Sequence, residues 1–283
     1  MGAMTTAPTR SSGVPGRTPA TLAVLAVALC VAFVRAPITV AAGTSLDTFT
    51  DQPAIVAYLQ RAFVQYWQSG HRTFTPGMAA LVAYWSHYHI AKAAVAAILA
   101  IVLGGLSVSL WKSVLRTAGP GTAIAFAVSG VACTVLALAS VAITLANIQG
   151  AAAPFASLLS MLPIGNHDPQ LAAAVDQIHH QLATYPGART PALTVMVDDY
   201  ARYHVVLAVA AVIVAIALAG SGVAAWKWFV TTASSQRRTR SVAAFLGVLA
   251  VVTTLAVLAV AVANISNAAD PAPGLLSLFD GGS

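Results

Sequence analysis

Five stretches of this chain, about 19–42, 90–111, 122–146, 204–226 and 242–263, stay apolar over the ~20 residues a helix needs to cross a bilayer at 1.5 Å per residue. That pattern predicts an all-α integral membrane protein with five transmembrane helices. Charge agrees, since 8% of residues are charged and 58% hydrophobic, where a soluble domain carries about a quarter charged residues. The first stretch has an alternative reading. Its apolar run stops at Arg35 and Pro37, as in a secretory signal segment, but an uncleaved helix bent or ended by Pro37 is the preferred expectation.

Basic residues beside membrane spans gather on the cytoplasmic side. Arg10, Arg17, Lys112, Arg116, Lys227, Arg237, Arg238 and Arg240 all fall on one side of a five-span topology, and all eight acidic residues, every one an aspartate, fall on the other. The N-terminus is therefore expected inside and the C-terminus outside, in the inner membrane of a bacterium. The basic overall balance is a sum over two compartments and does not indicate nucleic acid as a partner.

Two dipeptides and a turn signal recur in register. Thr75-Pro76, Tyr88-His89 and Trp111-Lys112 return 115 residues later as Thr190-Pro191, Tyr203-His204 and Trp226-Lys227, with 15 identities over the 38 aligned positions. Apolar bias produces chance matches of Ala and Val, but not polar and aromatic pairs in register. Asn147-Ile148, Pro154 and Leu158-Leu159-Ser160 return 117 residues later as Asn264-Ile265, Pro271 and Leu275-Leu276-Ser277. The expected organisation is a disordered N-terminus (1–18), one unit of helix, outer segment and helix (19–112), a second such unit (122–227), and a fifth helix with an outer tail (242–283). Such units enter and leave the membrane alike, which makes the inverted-repeat transporter design a poor fit.

The outer segments, 44–88 and 147–203, each carry an amphipathic pattern after an Asp/Pro start signal. Asp51-Gln52-Pro53 leads into Ile55, Leu59, Phe63 and Tyr66, and Asp168-Pro169 into Leu171, Val175, Ile178 and Leu182. Neither segment is large enough to bury a core alone. The two helices are expected to lie on the membrane or to pack together as a cap.

All seven histidines fall in these segments or at their helix ends. Histidine with aspartate supplies ligands of the kind zinc and copper take, which makes His87, His89, His179 and His180 the metal candidates, although no recognised ligand spacing is present. The repeated Tyr-His pair points to an outer pH- or cation-responsive site of His89, His204, Asp198 and Asp199. Beside it stands the plainer reading that histidine dresses a lysine-poor face. Tyr88, Trp111, Lys112, Tyr203, Trp226 and Lys227 read as interfacial anchors, Arg35 and Lys92 as snorkelling cations, and Cys30 and Cys133 as apolar fillers. Gly104-Gly105 and Gly220-Ser221-Gly222 permit close helix packing or self-association. The chain holds no phosphate-binding loop, dinucleotide fingerprint or nucleophile elbow. The expected function is non-enzymatic interaction or assembly at the envelope side, with a small transporter or metal-handling protein as the alternative and a membrane-embedded enzyme third. No cofactor is expected beyond a metal ion.

Overall fold

A computed structural model describes residues 17–42, 51–165, 168–187 and 190–280. Most of the N-terminal stretch read as disordered, and His167, lie outside them. The described residues form nine α-helices: α1 (Arg17–Ala42), α2 (Gln52–Ser69), α3 (Pro76–Arg116), α4 (Pro120–Ala152), α5 (Pro154–Leu159), α6 (Pro169–Ala183), α7 (Pro191–Thr231), α8 (Arg237–Ala269) and α9 (Pro271–Phe279). Five of them, α1, α3, α4, α7 and α8, are long and apolar enough to cross a membrane.

Proline sets most of the boundaries. Seven helices carry it at their first or second position, where its missing N–H is no loss and its fixed φ suits the first turn. Aspartate completes two of those starts. Asp51 accepts from the Ala54 N–H at 2.9 Å, and Asp168 from the Gln170 and Leu171 N–H groups, both at 2.9 Å, as the expected N-caps. Pro37 does not end α1, which runs on to Ala42.

The unexpected dimension is the length of α3 and α7. Each has 41 residues, about 60 Å of helix against a hydrocarbon core of ~30 Å. The spans anticipated from His89 and His204 onward begin instead some four turns earlier, at Pro76 and Pro191. Those extra turns exceed the length a bilayer core requires and become the walls of the cap.

The cap holds the main hydrophobic core. Leu59, Phe63 and Tyr66 of α2 pack with Phe155, Leu158 and Leu159 of α5, Leu171 and Ile178 of α6, Leu275 and Phe279 of α9, and the projecting turns of α3 and α7. Of the two arrangements expected for the amphipathic helices, packing together is the one found. Polar pins join them: Gln60 Nε2 donates to Asp168 at 2.7 Å and the Trp67 indole to Gln177 at 2.9 Å. The spans show the opposite distribution, with large apolar side chains turned outward, as at Ile101, 75% exposed. Lipid supplies the partner there.

Within the bundle, α3 pairs with α4 and α7 with α8 as two hairpins, and α1 lies along α3, where Leu22 approaches Gly105 and Ala26 meets Val102 and Leu103. The Lys92 ammonium sits 4.8 Å from the Phe33 ring centre and 5.2 Å from that of Tyr88, a cation held by two ring faces. At the far end, Arg238 donates to the carbonyls of Val114, at 3.1 Å, and Thr117, and Arg240 to those of Phe229 and Thr232 at 3.3 and 2.9 Å. Both therefore satisfy carbonyls at helix C-termini, which have no partner within their own helix.

Tyr66 tests how dry the cap is. Its hydroxyl is buried with no hydrogen-bond partner, and burial pushes its pKa up to about 12, an effect that Arg72 partly opposes. Below the unfolded value near 10 the phenol is neutral in both states. Above it only the unfolded chain releases the proton readily, so stability falls as pH rises from 10 through 12. Tyr66→Phe removes an unpaired polar atom and is expected to leave stability at pH 7 equal or higher, and to flatten the decline above pH 10. Thermal melts of both proteins across that range measure it; an unchanged alkaline decline would count against a dry cap.

Candidate functional site

Where the cap meets the bundle, each hairpin sets a histidine, half-buried in the first and buried in the second, against an asparagine of its partner helix. In the first, the ring Nδ1 of His89 on α3 lies 2.9 Å from Oδ1 of Asn147 on α4, and Nδ2 of Asn147 donates to the Ile143 carbonyl at 2.8 Å. In the second, Nδ1 of His204 on α7 lies 2.7 Å from Oδ1 of Asn264 on α8, and Nδ2 of Asn264 donates to the Val260 carbonyl at 2.8 Å. The same bond is thus built twice, from histidines 115 residues apart and asparagines 117 apart. The two-residue difference is taken up at the turns, three residues between α3 and α4 and five between α7 and α8.

The asparagine determines the histidine tautomer. Its amide N–H faces a backbone carbonyl, so its oxygen faces the ring, and an oxygen can only accept. Nδ1 must therefore carry the hydrogen in both histidines. In the neutral ring that leaves Nε2 with a lone pair, and Nε2 is buried without a hydrogen-bond partner in both. Protonation would turn it into a second donor without altering the bond to asparagine.

Aromatic rings enclose both sites at matching positions. The Trp85 and Tyr88 ring centres lie 4.9 and 5.8 Å from that of His89, and those of Tyr200 and Tyr203 lie 4.5 and 5.4 Å from that of His204, all edge to face. Trp85 donates its indole N–H to Ser157 at 3.1 Å. Tyr200 instead lies over Gly274, where a Cβ would come within 2.5 Å of its hydroxyl oxygen. Beside His89, a Cβ on Gly150 would meet three ring atoms at 2.9 Å, so glycine lets the imidazole lie flat on α4.

The other candidates are placed elsewhere. Asp199 accepts from the Ala156 N–H at 2.9 Å and pairs with Arg202 at 3.5 Å, which ties α7 to the start of α5. Asp198 pairs with Arg72 at 3.6 Å, both side chains exposed. His87 is exposed, its Nδ1 2.7 Å from the Ala83 carbonyl. His179 faces Asp280 at 3.5 Å, and His180 is exposed. Among the described residues no three His, Cys, Asp or Glu side chains form a group able to hold a metal. His89 and His204 each turn to an asparagine of their own hairpin.

Asn147 and Asn264 were visible in the sequence only as members of a repeated segment. What marks them as site residues is a lone asparagine in an apolar run, recurring when a histidine recurs. The expected anchors also divide. Trp226 is 63% exposed, as an anchor should be, but Trp111 is 9% exposed and donates its indole N–H to Thr134 at 3.1 Å. Comparison with family models, with curated proteins and with solved structures finds no match.

Proposed function

We propose that this multi-pass membrane protein is a non-enzymatic interaction or assembly protein of the bacterial inner membrane. Its cap is the working surface, on the extracytoplasmic side. The observation that carries this reading is where the large side chains are concentrated: the main apolar core lies in the cap and not between the spans. A protein that moves a solute would be expected to invest its packing and polar groups along a path through the bundle, whereas a platform needs rigidity above the membrane. The His–Asn bonds recurring at the same place in both hairpins support descent from a duplicated helical hairpin. The clustering of lysine and arginine at the end away from the cap supports an N-in, C-out orientation.

A photo-crosslinking amino acid at exposed cap positions of α6, such as Ala172 and Ala173, tests the reading in intact cells. One discrete protein adduct is expected from the cap, and none from a lipid-facing position such as Ile101. An impermeant thiol reagent should label Ala173→Cys from outside. Adducts equal at both positions, or labelling only after lysis, would overturn it.

The buried, unpartnered Nε2 atoms favour one second reading, a proton- or cation-responsive site at each hairpin. His89→Ala and His204→Ala proteins whose pH response and metal content matched the parent would eliminate it.

A further inference from the structure

The outward face of the second hairpin carries an apolar groove of about 550 Å³ between α7 and α8, lined among others by Leu218, Gly222 and Trp226 and by Gly247, Val251 and Leu255. The Thr254 hydroxyl in its wall donates to the Ala250 carbonyl at 2.7 Å, so an occupant meets a wall that is almost all hydrocarbon, with that hydroxyl's hydrogen already committed. In the first hairpin an indole takes up part of the matching place. Trp111 lies on Gly130, where a Cβ would come within 3.1 Å of the indole, and its N–H is taken by Thr134, which also bonds Ser107 at 2.6 Å. Phe245 of α8 then covers the indole at 5.5 Å. In the second hairpin the positions of Ser107 and Thr134 are Gly222 and Val251, so an inward indole would lack the acceptor that Thr134 provides. Trp226 stays out, stacked on Phe229 at 5.5 Å.

From Ala243 to Leu255 the groove follows twelve residue steps of α8, about 18 Å, which matches the ~15 Å depth of one leaflet. Basic groups stand at one end. Lys227 follows Trp226 and is exposed, as is Arg237 at the start of α8. Arg240 lies 4.2 Å over the ring of Phe229, another lining residue, and commits one terminal nitrogen to the carbonyls of Phe229 and Thr232. Its remaining N–H groups stay available.

We propose that this groove is a binding site for one anionic phospholipid. An acyl chain lies between α7 and α8, and the phosphate is held by Lys227, Arg237 and Arg240 beside the Trp226 indole. The site is independent of what the cap contacts.

The full-length protein in detergent, titrated with phosphatidylglycerol or phosphatidylcholine and followed by native mass spectrometry and thermal melting, tests it. One retained phosphatidylglycerol is expected, with a larger rise in melting temperature than phosphatidylcholine gives. Lys227→Ala with Arg237→Ala should weaken phosphatidylglycerol about thirtyfold, two surface charges each contributing near a lipid headgroup, and weaken phosphatidylcholine, whose choline offsets its phosphate, by much less. Gly222→Ser with Val251→Thr supplies the missing acceptor, lets Trp226 fold inward, and should abolish lipid retention while the protein still melts cooperatively. Equal retention of both lipids by the parent, or parental phosphatidylglycerol binding in both double variants, would overturn the site. So would a dimer that Gly222→Ser with Val251→Thr dissociates, since it would assign the groove to a second copy of the chain.

Discussion

Phe155→Ala is expected to lower stability by about 3–5 kcal/mol, the range for truncating a fully buried phenylalanine. The ring is 1% exposed and meets Phe74 at 5.0 Å and Tyr66 at 5.6 Å, both edge to face. Its removal opens a cavity where α2, α3 and α5 meet, and the rigid surroundings cannot fill it. Ile101→Ala is the matched control. That side chain faces lipid, whose tails are as apolar as the protein, so its loss should change stability by no more than about 0.5 kcal/mol. Thermal melts in one detergent compare the two. Should both variants melt alike, the cap would not be the cooperative core described above.

The second large effect lies at the histidine pairs. Asn264→Leu keeps side-chain volume close to the original but leaves the Nδ1–H of His204 buried without an acceptor, at a cost of about 1–3 kcal/mol. Asn147→Leu should do the same to His89. The informative measurement is the double variant His204→Leu with Asn264→Leu. Removing both partners of a buried hydrogen bond costs less than the sum of removing each, so the pair should lie closer to the parent than the single changes add up to. Strict additivity would show that the 2.7 Å bond does not account for the loss.

Five spans were legible because a bilayer imposes one length on any helix that crosses it, and Asp51-Gln52-Pro53 and Asp168-Pro169 announced two cap helices whose starts the structure places at Gln52 and Pro169. The length of α3 and α7 was harder to read. The turns between Pro76 and His89 mix Met78, Leu81 and Tyr84 with exposed small residues, a pattern that fits a loop edge as well as a helix until α2 and α5 are seen covering one face.

Trp111 and Trp226 show the limit most sharply. Both precede lysine, both follow an apolar run, and both read as headgroup anchors. The decision between an inward and an outward indole rests on residues 23 and 25 positions further on, Thr134 in one hairpin and Val251 in the other, and on Phe245, which arrives from α8. No local pattern contains that information.

The histidines divide in the same way. Their place at the cap end of the spans follows from their neighbours in the chain, since a Tyr-His pair ahead of an apolar run sits at a membrane boundary. Which tautomer they hold, and that each binds asparagine within its own hairpin instead of meeting the other, follows only from the packing of α3 on α4 and α7 on α8. What sequence determines here is transfer between phases, because apolar length and charge placement act residue by residue along the chain. The tertiary structure decides hydrogen-bond partners and grooves, because these depend on which side chains from distant turns arrive within about 3 Å of one another.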